Sequence, residues 1–140
     1  MDLRRANRCV LQALAAFHGR GFVHCDVRWP NVLRDPADGG SLLVDFELAA
    51  PIGSVLPARY HGSIFFPPET REGGAFTPAG DVWQVGQLVR AWATPHLQRV
   101  LSPAAVAFSS VLALEDSSLR PAAAAALKLD WLSPPPPPPS

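Results

Sequence analysis

His24, Asp26 and Asn31 stand inside "FVHCDVRWPNVL", residues 22–33, an otherwise apolar run. Three polar side chains in so greasy a segment each need a partner or a task, because burying an unsatisfied polar group costs about 2–7 kcal/mol. One reading is a buried loop whose Asp and Asn tie down its own backbone. The other is chemical and needs a further polar group. "SLLVDFELA" supplies it, with Asp45 at the end of an apolar run, 19 residues after Asp26. A carboxylate at a strand end is placed to reach a ligand. Asp45 and the Asn31 carbonyl are hard oxygen donors, the kind Mg²⁺ takes alongside water and phosphate oxygens. Asp26 would then accept or orient a hydroxyl proton. Trp29 and Pro30 would stiffen the loop by packing and by a fixed φ.

The elements that must position these groups are read from periodicity. Leu3, Ala6, Val10, Leu14 and Phe17 recur every three or four residues, which predicts a helix from Asp2 to about His18 with one apolar stripe. "HGRG" ends it, with Gly19 and Gly21 as stop signals. Gly21–His24 and Ser41–Phe46 are short apolar runs separated by the turn "RDPADGG", and they read as short strands or an extended loop pair. Ala49–Glu69 is too rich in proline and glycine for a long helix. Thr77-Pro78, Thr94-Pro95 and Ser102-Pro103 each join a capping hydroxyl to a proline suited to the first helical position. They predict a helix with Val82, Val85, Val89 and Trp92 on one face, a short turn through Leu101, and a helix through about Leu114. A last helix, Pro121 to about Trp131, carries five consecutive alanines. Six prolines at 134–139 can form only polyproline II or disorder. The fold class expected is mainly α with a small β element around Phe22–Leu33 and Leu42–Phe46.

Composition narrows the function classes. A chain of 140 residues with 48% apolar and 17% charged residues is sized for one globular domain with its own core. Twelve basic residues balance twelve acidic ones, so no electrostatic case exists for nucleic acid or an anionic membrane as partner. No apolar run reaches the ~18 residues of a spanning helix. "MDLRRANRC" does not lead into the apolar core of a signal peptide. Cys9 and Cys25 are too few for a disulfide framework and lack metal-site spacing. A reducing, cytoplasmic or nuclear setting is the expectation.

"HCDVRWPN" followed by "DFE" resembles the catalytic loop and metal-binding segment of the eukaryotic protein kinases, in the pattern His-x-Asp-x-x-x-x-Asn then Asp-Phe-Gly. The resemblance continues in family order. "FFPPE" (Phe65–Glu69) is similar to the Ala-Pro-Glu element that closes the activation segment, and "DVWQVG" (Asp81–Gly86) to the helix start that follows it. "DSSLRPAAAAALKLDWL" resembles the late element in which Arg-Pro precedes a helix ending in Trp-Leu. Each alone is weak; together they are specific.

What the resemblance implies is carried over position by position. Asp26 matches the catalytic base. Asn31 and Asp45 match the ligands of the metal and of the nucleotide it accompanies, so ATP and Mg²⁺ are the implied cofactors. Arg28 matches a cation that offsets charge on the transferred phosphoryl group. His24 and Phe46 match packing positions that align the loops, Glu69 and Arg120 a buried ion pair, and Asp81 a carboxylate that hydrogen-bonds the catalytic-loop backbone. Two departures stand out. Cys25 replaces the Arg that in many family members pairs with a phosphorylated activation loop, so a phosphate there has less to bind. Glu47 replaces the glycine after Asp-Phe, removing freedom at φ > 0 and adding a carboxylate near the metal.

The resemblance covers the helical C-terminal lobe only, residues 1–132, with 133–140 a proline-rich, disordered tail. No glycine-rich loop, strand Lys or pairing helix Glu occurs in residues 1–140, so the nucleotide-binding small lobe is expected to be absent, and the stretch from Asp81 to Arg120 is short by one peripheral helix. Apolar surface around Val23, Leu33, Leu43 and Phe46 would then be exposed for a partner. The function implied is ATP- and Mg²⁺-dependent phosphoryl transfer to Ser or Thr hydroxyls of a protein substrate in the complete enzyme. Two alternatives stand beside it: a pseudokinase or truncated lobe acting as a binding module, and a small-molecule phosphotransferase resembling aminoglycoside and choline kinases. The latter share the Asp-x4-Asn loop, but "PPE", "DVWQVG" and "RP…WL" belong to protein kinases.

Overall fold

The computed structural model describes residues 2–133 and 137–140. The polypeptide is mostly helical, with two small antiparallel strand pairs. Helix α1 spans Leu3–Gly19. Asp2 is its cap and not its first residue: the Asp2 carboxylate accepts from the Arg5 N–H at 3.2 Å. Beyond the last turn the Gly21 N–H bonds back to the His18 carbonyl, and Gly21 takes φ 91°, a conformation glycine enters without steric cost. The predicted stripe is buried through Leu3, Ala6, Val10 and Leu14, whereas Phe17 is half-buried at the helix end.

Strands β1 (Phe22–Val23), β2 (Val32–Arg34), β3 (Ser41–Leu43) and β4 (Ala50–Pro51) form the two pairs. The run beginning at Gly21 does not join the one at Ser41. β1 pairs with β4, matching Phe22 to Pro51 and Val23 to Ala50, and β2 pairs with β3, matching Val32 to Leu43. Ala50–Pro51 lies in the stretch read as irregular; a proline is accommodated because the pair is only two strands wide and its far side needs no donor. From there to residue 76 the chain makes only short 3₁₀ turns and one isolated bridge, Val55 to Ala75.

Helix α2 (Pro78–Trp92) is the central element, packed against α1 and against α3 (Pro103–Leu112). Nine of its residues are buried, from Gly80 to Val89, Asp81 and Gln84 among them. Gly86 lets α3 close on it: a Cβ there would meet the Ser109 carbonyl at 2.9 Å and the Ala113 Cβ at 3.0 Å. Of the predicted capping hydroxyls, Ser102 accepts from Ala105 N–H at 3.1 Å, but Thr77 makes no side-chain cap. The turn after Thr94 is a 3₁₀ turn that stops at Leu97.

The last helix, α4, spans only Ala123–Ala126. Alanine favours helix, but so short a run is not self-sustaining. Beyond Ala126 the bonds tighten to three-residue spacing, Lys128 N–H to the Ala125 carbonyl at 3.0 Å. That turn brings Trp131 and Leu132 into the core, the Trp131 ring lying 4.8 Å from Phe108. The expected proline tail falls partly on residues 134–136, outside those described; residues 137–140 are exposed and have no regular secondary structure.

Two apolar clusters result. The larger joins α1, α2, α3 and α4 through Leu14, Val85, Leu112 and Ala126; the smaller gathers Val23, Cys25, Leu56, Phe66 and Phe76 below the irregular stretch. The segment holding His24, Asp26 and Asn31 runs between them.

Candidate active site

The loop after β1 is held from beneath by α2. Asp81 is fully buried, and its carboxylate accepts from the His24 N–H at 2.9 Å, the Cys25 N–H at 2.8 Å and the His18 Nε2 at 2.8 Å. One turn on, Gln84 Oε1 accepts from the Val27 N–H at 3.1 Å while its Nε2 donates to the Cys25 carbonyl at 2.9 Å. A buried carboxylate without donors would be prohibitive; here each of its oxygens has at least one. The clamp holds Cys25 in the left-handed region, φ 71°, where a side chain is disfavoured. Burial pushes the Cys25 thiol far above its ordinary range, and the Asp81 and Asp26 carboxylates add to the effect.

His24 ties this loop to the segment that carries Asp45. Its Nδ1 accepts from the Asp26 N–H at 3.1 Å and its Nε2 lies 3.0 Å from the Val44 carbonyl, which requires the tautomer with the proton on Nε2. The ring packs edge-on to Phe46, centroids 5.1 Å apart, and Phe46 also meets Phe17 at 5.4 Å. A backbone bond from Val44 N–H to the Asn31 carbonyl, 2.8 Å, closes the connection.

At the surface of this frame sit the chemical groups. Asp26 is nearly buried, 8% exposed, with Oδ1 at 3.1 Å from Arg28 Nε and Oδ2 at 2.9 Å from Asn31 Nδ2. Asn31 Nδ2 also donates to the Asp26 carbonyl at 2.8 Å, so one amide group fixes both the loop backbone and its carboxylate. Each carboxylate oxygen has two lone pairs, which leaves each able to accept once more. Trp29 is anchored through Nε1 to the Leu88 carbonyl at 2.9 Å, and the Arg28 guanidinium lies 5.7 Å from the centre of the Phe65 ring. Asp45 is exposed, at φ 60°, and its Oδ1 accepts from the Glu47 N–H at 3.2 Å. The side-chain oxygen of Asn31, Oδ1, accepts no hydrogen bond among the described residues, and the second Asp45 oxygen accepts none either. Both are hard donors, the chemistry Mg²⁺ selects. No group of three His, Cys, Asp or Glu side chains suited to a metal gathers among the described residues, so any such ion would draw its remaining ligands from water and phosphate oxygens.

Farther out, Arg120 and Glu69 form a two-pronged ion pair, 2.6 and 2.9 Å, and the same guanidinium donates to the carbonyls of Leu114, Ala79 and Glu115. It pins the end of the irregular stretch to the starts of α2 and of the loop preceding α4. Of the apolar residues expected to be exposed here, Leu33 and Phe46 are, together with neighbouring Phe22 and Leu42. Leu43 packs partly buried against the larger cluster, and Val23 is fully buried in the smaller one because alternate residues of β1 face opposite ways.

Two residues of this frame escape sequence reasoning, Gln84 and His18. Gln84 had a signal: it follows Asp81 by three residues on the same helix, so both polar groups share one face. His18, the last-turn partner of Asp81, had none that is local.

The comparisons with known proteins agree with this frame. A sequence model described as the protein kinase domain matches residues 1–98. The chain belongs to the protein kinase domain family. Crinkler effector protein 8 of Phytophthora infestans is 37% identical over 128 residues, 86% of this chain and 20% of its own length. Mitogen-activated protein kinase kinase kinase 20 of Arabidopsis thaliana is 32% identical over 90 residues, 60% of this chain and 26% of its own. Serine/threonine-protein kinase PknL of Mycobacterium tuberculosis is 39% identical over 94 residues, 64% and 23% of the two chains. The chain thus spans about a fifth to a quarter of the length of these relatives. None of its described helices is long and apolar enough to cross a membrane.

Proposed function

We propose that residues 1–132 are the C-terminal lobe of a serine/threonine protein kinase, contributing the base and metal-holding side of ATP-dependent phosphoryl transfer to protein hydroxyls. The observation that carries this reading is the Asp26 carboxylate, oriented by Asn31 and Arg28 on a loop whose backbone is bonded to α2. A substrate hydroxyl would donate to the remaining lone pair of an Asp26 oxygen. Its oxygen bonds to the γ-phosphorus, the bond from that phosphorus to the bridging oxygen of ADP breaks, and the hydroxyl proton passes toward Asp26. Arg28, half-exposed beside Asp26, would offset negative charge on the group in transfer. Asn31 and Asp45 would hold Mg²⁺, which supplies charge neutralisation of the phosphates.

The test is turnover of the full protein with ATP, Mg²⁺ and a generic protein substrate. Asp26→Asn should reduce kcat by about 10²-fold or more, the usual scale of an acid–base group. Asp45→Asn should raise the Mg²⁺ requirement with folding near normal. Unchanged turnover in both variants would refute the assignment. Residues 1–140 alone wall a nucleotide on one side, without the 70–90% burial typical of a good pocket. Isolated, they should bind ATP–Mg²⁺ weakly, and their Tm should rise little on adding it.

A second reading, a non-catalytic binding module, is favoured by the exposed face of Phe22, Leu33, Leu42 and Phe46 beside the site. Full activity of the parent protein after Asp26→Asn would select it.

A further inference from the structure

Beside Asp26 lies an open groove of about 450 Å³. One wall is the catalytic loop itself, Arg28 and Trp29; the second is Ile64 and Phe65 from the end of the irregular stretch; the floor is Leu88 and Arg90 near the end of α2. No acidic residue lines it, and both of its charged side chains are arginines. They differ in availability. Arg28 is ion-paired to Asp26 and rests on Phe65, whereas Arg90 is exposed and makes no ion pair among the described residues. Ile64, 83% exposed, stands on the rim as an apolar side chain without cover.

We infer that this groove selects the protein substrate, taking segments in which the acceptor Ser or Thr lies within a few residues of a bulky apolar side chain and a Glu or Asp. The inference rests on the function proposed above and adds the substrate class. Val27, Arg28 and Trp29 follow Asp26 directly, and at 3.8 Å per Cα step the groove begins within about 10 Å of the base. An extended segment with its hydroxyl at Asp26 therefore crosses the groove two to four residues away, at about 3.3 Å per residue. The apolar side chain covers Trp29, Phe65 and Ile64. The carboxylate meets Arg90, and a Lys or Arg at that position is repelled by Arg90 and Arg28 together.

The experiment uses the full chain and four fluorescein-labelled peptides with a central Ser, carrying Leu or Ala at the anchor position and Glu or Lys at the charged one, read by anisotropy at low salt. The Leu/Glu peptide should bind about tenfold tighter than Leu/Lys, and Arg90→Glu should reverse that order. Ile64→Ser, on the opposite rim, should weaken the Leu peptides severalfold and leave the Ala peptides unchanged. Equal binding of the Glu and Lys peptides, a uniform loss in Arg90→Glu, no binding below millimolar, or competition by self-association of the chain would each overturn the inference. Phosphate transfer by the full protein is scored separately on the same peptides. Charge-dependent binding without transfer would refute the kinase reading and keep the groove; efficient transfer indifferent to charge would do the reverse.

Discussion

Two stretches carry the candidate site, and they are held in different ways. The loop His24–Asn31 has its backbone bonded to side chains of a buried helix, Asp81 and Gln84, and its Asp26 carboxylate enclosed by neighbours. Asp45–Glu47 is exposed, takes a left-handed turn at Asp45, and is tied mainly through Val44 and the Phe46 ring. Polar side chains within a helix core thus give one segment a fixed geometry, while ring packing and one turn leave the other open to adjustment. The difference suits the roles proposed for them: a base would need its position before substrate arrives, whereas a metal ligand could complete its geometry with the ion.

The largest effect should come from cutting the clamp. Asp81→Ala leaves two buried backbone N–H groups and His18 without their acceptor, and should cost about 3–5 kcal/mol in urea unfolding, as for other broken buried charge networks. If it costs under 1 kcal/mol, the two stretches are not held differently at all. Gln84→Leu keeps the volume but strands the Val27 N–H and the Cys25 carbonyl; about 2 kcal/mol is expected, with slower turnover of the full protein as the loop loosens. Asp45→Gly should act in the opposite direction. It relieves a side chain from φ 60° and should stabilise the chain by about 0.5–1 kcal/mol, while abolishing Mg²⁺-dependent nucleotide use. The smallest effect at neutral pH concerns Cys25. Its folded thiol titrates above the ordinary value of 9.0, so stability is unaffected below that pH and falls as pH rises beyond it. Iodoacetamide at pH 8 should accordingly label the partly exposed Cys9 quickly and reach Cys25 only at the rate of unfolding.

The helices α1, α2 and α3 were legible because their apolar residues keep a 3.6-residue period and their ends carry Asp, Ser, Pro and Gly. The strand partners were not. A strand of two or three residues has no period to read, and its partner is set by distant packing, so Ala50–Pro51 looked like loop. Alanine propensity overstated α4, since Trp131 and Leu132 reach the core only if the chain turns early. At the site, the residue types and spacing of Asp26, Asn31 and Asp45 suggested their chemistry. What holds them was half hidden: Asp81 is visible through its motif, His18 only through a contact spanning 63 residues.

Gly86 sets one last consequence. It lies two residues past Gln84 on α2, at the point where α3 leaves no room for a methyl group. The helix that holds the loop is therefore seated directly against the backbone of the helix that supports it. A side chain at 86 would push α2 away from α3 and carry Asp81 and Gln84 with it. A genetic screen scored only on activity would rank this glycine beside Asp26, although it has no functional group and touches no reactant.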